Sequence, residues 1–221
     1  MREAELSQAL ASGIAELNLQ ITAEQQDALL TYIALLNRWN KRFNLTAVRD
    51  PAEMIPRHLL DSLSVSAYLQ GKKVLDVGTG AGLPGIPLAT VQPDIQFTLL
   101  DSNGKKTRFV RQAVMELGLK NVQVEQVRVE AYRPFQKFDT VITRAFAALS
   151  EILDLTSHLL SPTGQLLAMK GRQTQDELEV ADLAGRSVEV IQLQVPQLEG
   201  VRYAVLIKSK DGQPKIHGYK T

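Results

Sequence analysis

Residues 74–88 read VLDVGTGAGLPGIPL, an apolar run broken by a dense cluster of glycines. Val74 to Val77 have the make-up of a buried strand, and Gly78, Gly80 and Gly82 let backbone approach a ligand at its end. Within the stretch, the six residues from Gly80 to Gly85 spell G-x-G-x-x-G, the pattern that cradles a dinucleotide pyrophosphate. Two features argue against that ligand. Asp76 puts a carboxylate just before the glycines, where it would repel a pyrophosphate. Pro84 and Pro87 lack the amide hydrogens that a phosphate cradle uses. The same carboxylate favours a cationic ligand, and S-adenosylmethionine, with an ammonium and a sulfonium, is such a ligand.

Downstream, short apolar runs alternate with helical patterns. The runs are KVLDVG (73–78), IQFTLLD (95–101), VQVEQV (122–127), FDTVIT (138–143), GQLLAMK (164–170), VEVIQLQV (188–195) and VRYAVLIK (201–208), with helical patterns between the first five. Such alternation implies an α/β fold built on a mostly parallel sheet covered on both faces. PQLEG between the last two runs is too short for a crossover helix, so they pair antiparallel. An acidic cluster, DELEV (176–180), falls on an expected final helix.

Upstream, residues 1–70 read as a helical extension. Leu6, Leu10, Ile14 and Leu17 recur at helical spacing, and Thr22 with Gln25 forms a capping box ahead of Leu29, Leu30, Ile33, Leu35 and Leu36. A third helix is expected from about Pro51 to Leu69, ended by Gly71. The expected division is thus helices over 1–70, a ligand-binding core over 71–208 and a polar basic tail over 209–221, the first two forming one structural unit.

The composition is ordinary for a globular chain: 221 residues, 44% apolar, 22% charged and a net charge of +1. A nucleic-acid partner would therefore be held by a local basic patch. There is no cysteine, which excludes disulfides and thiolate chemistry and fits the cytoplasm. The N-terminus is not a signal peptide, and no apolar run approaches the ~18 residues of a membrane span. The histidines are scattered and no metal site is expected.

Two further strand ends bear on a nucleoside. Asp101 ends the second run, where a carboxylate accepts hydrogen bonds from ribose hydroxyls; alternatively, it or Ser102 caps the next helix. After the third run, Val129 offers an apolar contact to an adenine and Glu130 an acceptor for a ring amine, unless Glu130 is simply an exposed loop carboxylate.

LLNRWNKRFNLTAVRDPAEMIPRHLLDSL (35–63), the glycine loop, TLLDSNGKKTRFVRQ (98–112), FDTVITRAFAALSE (138–151) and LLAMKGR (166–172) together make a specific set. In these segments the chain resembles the bacterial small-subunit ribosomal RNA guanine-7 methyltransferases, also called glucose-inhibited division protein B, over nearly its whole length. The resemblance implies a class I S-adenosylmethionine-dependent methyltransferase fold, Rossmann-like with seven strands, plus the helical extension. It implies methylation of the 7-nitrogen of one guanine in the decoding-region hairpin loop of 16S ribosomal RNA. Carried over by motif, Gly78, Leu83, Val129, Glu130 and Arg144 would hold the cofactor, with Asp101 at its ribose. Asn103 and Tyr203 depart from the family pattern, although Arg202 persists.

The chemistry fits that implication. The 7-nitrogen of guanine carries a lone pair and no proton, so methyl transfer needs alignment and no general base. Arg144 and Lys170, at the ends of the fourth and fifth runs, are the candidates to contact the target base, and either could instead be a solvated or ion-paired strand end. Lys41, Arg42, Arg49, Arg57, His58, Lys105, Lys106 and Arg202 are the candidate RNA contacts, together with Arg108 and Arg111, although any one of them is ordinarily a solvated surface charge. Trp39 and Phe43, interleaved with them, suit either an RNA face or the core, and the Arg57–Asp61 spacing suits an intrahelical pair. The expected partner is the small ribosomal subunit or its RNA, and the expected state is a monomer. The competing reading is a methyltransferase of a small molecule or protein, with the N-terminal helices as a lid. A nicotinamide-dependent oxidoreductase would rest on the glycine pattern alone.

Overall fold

A computed structural model describes residues 3–144, 148–171, 183 and 185–209. The DELEV cluster, Ala145 to Ala147 of the TRAFA run, Arg172 and the tail beyond residue 209 lie outside them.

The helical extension begins with α1 (Glu3–Glu16), which buries Leu10 and Ile14. Thr22 and Gln25 exchange side-chain and backbone hydrogen bonds ahead of α2 (Ala23–Phe43), so the capping box forms as the sequence predicts. Asn44, at φ +50°, ends α2 in the left-handed conformation that asparagine tolerates.

The expected third helix is interrupted. It runs as α3 (Pro51–Met54), a π-helical turn (Ile55–Leu60), α4 (Asp61–Leu63) and a 3-10 turn (Ser66–Tyr68). Pro56 is the physical cause that the sequence offers: a proline inside a helix lacks its amide donor and crowds the preceding turn, which widens to accommodate it. The widened turn also breaks the spacing that would pair Arg57 with Asp61. Arg57 instead faces Glu53, 3.6 Å away, and Asp61 turns toward the sheet.

All seven expected strands are present: β1 (Lys73–Val77), β2 (Gln96–Leu100), β3 (Val122–Glu125), β4 (Phe138–Arg144), β5 (Leu160–Lys170), β6 (Arg186–Leu193) and β7 (Arg202–Ser209). Their order is β3-β2-β1-β4-β5-β7-β6. The first five pair in parallel, and β7 runs antiparallel between β5 and β6. The crossovers carry α5 (Gly85–Val91), α6 (Gly104–Glu116) and α7 (Leu149–Thr156). Between β3 and β4 the expected helix is replaced by one 3-10 turn (Val129–Ala131). Residues 126–137 are too few, with Pro134 among them, for a helix and a return path across the sheet.

The two faces of the sheet carry separate cores. Val74, Phe97 and Leu99 pack with the N-terminal helices, α5 and α6. Leu75, Val77 and Val141 pack with α7 on the other side. Because strand side chains alternate, Asp76 shares the face of Val74 and points beneath α5. Trp39 belongs to this packing, with its ring 5.2 Å from Phe43 and 5.6 Å from Phe109. Strand order reverses direction at β1, flanked by β2 and β4, and that switch point at the carboxyl ends of the strands is where ligands of such sheets bind.

Candidate cofactor and acceptor site

The glycine loop leaves β1 with Gly78, Gly80 and Gly82 at φ values of +69°, +60° and +87°, which glycine adopts without strain. Most of its amides are engaged within the protein. Those of Gly78 and Thr79 donate to the Leu100 carbonyl, those of Gly82 and Leu83 to the Thr79 carbonyl, and that of Gly80 to Asp101 Oδ2. Pro84, joined to Leu83 by a cis peptide, precedes α5. Asp76 Oδ2 accepts the Gly85 amide at 2.9 Å and the Thr79 hydroxyl at 2.6 Å. A carboxylate therefore occupies the helix end at which a dinucleotide would place its pyrophosphate. The literal G-x-G-x-x-G is not a phosphate cradle in this chain.

Asp76 is fully buried, and burial pushes its carboxyl up to about 6, partly offset by the Thr79 and Gly85 hydrogen bonds. Its other oxygen, Oδ1, is buried without a hydrogen-bond partner. Asp76 thus lies beneath the loop and lines neither of the cavities above it.

Two cavities open at the carboxyl ends of the strands, and Gly78 and Lys106 line both. The smaller, about 330 Å³, is walled by Leu100, Asp101, Val129 and Glu130. Asp101 is fixed there by the Gly80 amide on Oδ2 and the Asn103 amide, 2.8 Å from Oδ1, with Lys106 Nζ at 4.0 Å. It does not cap α6. That role falls to Asn103, whose side chain accepts the Lys105 and Lys106 amides. Each Asp101 oxygen keeps a lone pair, Val129 is buried and Glu130 is exposed. An acid fixed at the second strand end, an apolar residue with a carboxylate at the third, and an orphaned buried carboxylate oxygen under the loop suit an adenosine with a cationic tail. The donor set fits S-adenosylmethionine.

The larger cavity, about 700 Å³, lies between the helical extension and the sheet. Leu45, Thr46, Val48 and Asp61 come from the extension, Leu83 from the loop, and Arg144, Met169, Lys170, Leu193, Arg202 and Tyr203 from strand ends. Arg144 donates to Asp61 Oδ2 at 3.0 Å and to the Arg57 carbonyl at 3.1 Å. It is ion-paired, but to a buried carboxylate on the cavity wall rather than to a surface acid. Arg202 reaches the site because β7 is antiparallel: its first residue lies level with the last residues of β4 and β5, and Tyr203 pairs with Lys170.

Of the expected RNA contacts, Arg57, His58, Lys106 and Arg202 line this cavity. Lys41, Arg42, Arg49 and Lys105 are exposed outside it, with Arg42 stacked over the Phe43 ring at 5.6 Å and Arg49 bonded to Asn44 Oδ1. His58 is not a surface cation. It is buried, Nε2 bonds the Thr46 hydroxyl and Nδ1 the Arg57 carbonyl. Burial, reinforced by the positive charge of Arg144, lowers its pKa to about 4 and keeps it neutral. Sequence reading missed Asp61 as a site residue. Its signal was present in the RHLLDS run, but helical spacing assigned it to Arg57.

Residues 25–205 match the family described as rRNA small subunit methyltransferase G. The chain is 49% identical over 201 residues to ribosomal RNA small subunit methyltransferase G of Nitrosococcus oceani, covering 91% of this chain and 94% of that protein. It is 51% identical over 195 residues to the protein of the same name from Psychromonas ingrahamii, covering 88% and 94%. Among solved structures, its fold is similar to magnesium protoporphyrin IX methyltransferase from Synechocystis with bound SAM, at a TM-score of 0.59 and 16% identity, over 80% of this chain and 97% of that one. It is also similar to a SAM dependent methyltransferase from Aquifex aeolicus, at a TM-score of 0.54 and 20% identity, over 72% and 94%. Among the described residues no group of metal-ligating side chains is assembled, and no helix is long and apolar enough to cross a membrane.

Proposed function

This chain belongs to the rRNA small subunit methyltransferase G family, and from that premise we propose that it methylates the 7-nitrogen of one guanine in the decoding-region hairpin loop of 16S ribosomal RNA. The observation that supports the finer reading is the make-up of the larger cavity, which shares Gly78 and Lys106 with the smaller one. Arg57, Arg144, Arg202 and Lys106 are among its lining residues, a cationic lining suited to RNA phosphate and to the carbonyl edge of guanine. The histidine and the carboxylate on its wall are both engaged: both ring nitrogens of His58 are hydrogen-bonded, and Asp61 is paired with arginines. A nucleophile that carries no proton suits such a site.

S-adenosylmethionine, when bound, would supply the electrophilic methyl group. Asp101 would hold the ribose hydroxyls, Val129 and Glu130 the adenine, and Gly78 and Leu83 would border the donor. The Asp76 carboxylate beneath the loop favours the cationic end. Arg144 orients the target guanine through its carbonyl oxygen, and Lys170 supports the base or an adjoining phosphate. The helical extension closes the acceptor side and excludes water, so catalysis rests on alignment at near-attack distance. The exposed cations Lys41, Arg42, Arg49 and Lys105 extend the contact to RNA outside the cavity. The reaction takes place in the cytoplasm, where ribosomal RNA is its partner.

Mass mapping of small-subunit RNA from a strain lacking the protein tests this reading. Loss of one 7-methylguanosine, restored by the intact gene, is the expected result. An unchanged methylation map would overturn it.

A further inference from the structure

Asp61 is a carboxylate 5% exposed, held between two arginines that come from the opposite half of the chain. Arg144 Nη1, at the end of β4, lies 3.0 Å from Oδ2, and Arg202 Nε, at the start of β7, lies 3.5 Å from Oδ1. Beyond that ion pair, Oδ1 has no hydrogen-bond partner and is closed to solvent. The carboxylate and both arginines share the wall of the larger cavity, with Oδ1 turned away from solvent toward Arg202. Arg202 is further tied through Nη1 to the Val201 carbonyl, and Arg144 to the carbonyl of Arg57.

We propose that Asp61 is a positioning residue that aligns Arg144 and Arg202 as a fixed pair of guanidinium donors facing the RNA acceptor. The assignment rests on the RNA-methyltransferase reading of the same cavity. A guanidinium binds oxygen acceptors through a planar fork, so its orientation decides which of its donors face a ligand. Free in solvent, each side chain would sample many rotamers and lose them on binding RNA. Tied to one buried carboxylate, they meet the ligand already ordered. The same carboxylate joins the helical extension to β4 and β7, so docking of the extension and alignment of the arginines are one event.

A positioning role and a purely electrostatic one predict opposite outcomes. As a mere counter-charge, Asp61 would weaken attraction of RNA, and Asp61→Asn would tighten RNA binding with kcat unchanged. As a positioning residue, Asp61→Asn removes the charged anchor common to both arginines and leaves each only its backbone hydrogen bond. We expect kcat/KM for small-subunit RNA to fall by roughly 30-fold, with kcat reduced. Arg202→Gln should give a comparable loss, and the double variant little more than either single one, because the residues act as a unit. Arg202→Lys keeps the charge but not the fork, and it too should be defective.

The experiment is steady-state methylation of purified small-subunit RNA by each full-length variant, with circular dichroism melts as the folding control. Should Asp61→Asn fail to fold, the Arg202→Lys and Arg202→Gln pair carries the test. Wild-type kinetics in Asp61→Asn or in Arg202→Lys, tighter RNA binding at unchanged kcat, or fully additive losses would overturn the proposal. A wild-type protein unable to methylate this RNA would instead overturn the functional reading, and the RNA-facing role with it.

Discussion

Tyr32, fully buried on α2, donates its hydroxyl hydrogen to the carbonyl oxygen of Ala81, 2.7 Å away in the glycine loop. This bond ties the helical extension directly to the backbone that borders the larger cavity. Burial raises the hydroxyl's pKa further into the alkaline range, so it remains a donor at any physiological pH.

Tyr32→Phe keeps the ring, which lies 6.3 Å from that of Phe109, and leaves the Ala81 carbonyl without its donor. An unpaired buried carbonyl costs about 1–3 kcal/mol. Urea unfolding should register that loss, and calorimetry should find S-adenosylhomocysteine bound more weakly. Identical titrations of variant and wild type would show that the bond does not hold the loop.

Gly85, the first residue of α5, sits where no side chain fits. A Cβ there would lie 2.1 Å from Leu99 Cδ2 and 2.8 Å from the Asp76 oxygen that accepts the Gly85 amide. Gly85→Ala must displace the helix end or the carboxylate, at about 1–3 kcal/mol of overpacking. Both a lower melting temperature and weaker S-adenosylmethionine binding are expected, whereas an alanine variant as stable as wild type would contradict the geometry.

Asp76 titrates at about 6 when folded and near 3.8 when exposed. Its folded pKa is raised, so its contribution to stability is fully present below pH 3.8 and is lost as pH rises through about 6. A cationic ligand prefers the ionised form. S-adenosylmethionine affinity should therefore rise with pH through about 6 and weaken below it, and Asp76→Asn should flatten the profile. Calorimetry from pH 5 to 8 reads this directly, and a flat wild-type profile would remove Asp76 from cofactor recognition.

His58 behaves in the opposite sense. Its folded pKa is lowered from 6.5 to about 4, so the stability of its neutral form is present above 6.5 and is lost as pH falls through about 4. The loss is at most about 3 kcal/mol, and between pH 4 and 6 it partly cancels the Asp76 effect. Comparing denaturation midpoints of wild type and His58→Gln at pH 7 and 5 separates the two. The variant's disadvantage should shrink at pH 5, and a difference independent of pH would mean that His58 is not held neutral.

Sequence by itself determined what depends on neighbours along the chain. The seven apolar runs, the Thr22 capping box and the glycine turn each follow from a window of a few residues, through alternation, side-chain-to-backbone hydrogen bonds and permitted φ values. The charge of Asp76 was enough to argue against a pyrophosphate, and the motif set was enough to point to the family. Tertiary structure alone decided which charges meet. Strand order and the reversal of β7 bring Arg202 beside Arg144, and the widened turn at Pro56 turns Asp61 from Arg57 toward both. Burial decided that His58 is a neutral bonded ring and that Asp76 lies closed off beneath the loop. Ion pairs and pKa values depend on distance and solvent exposure in space, and a linear pattern records neither.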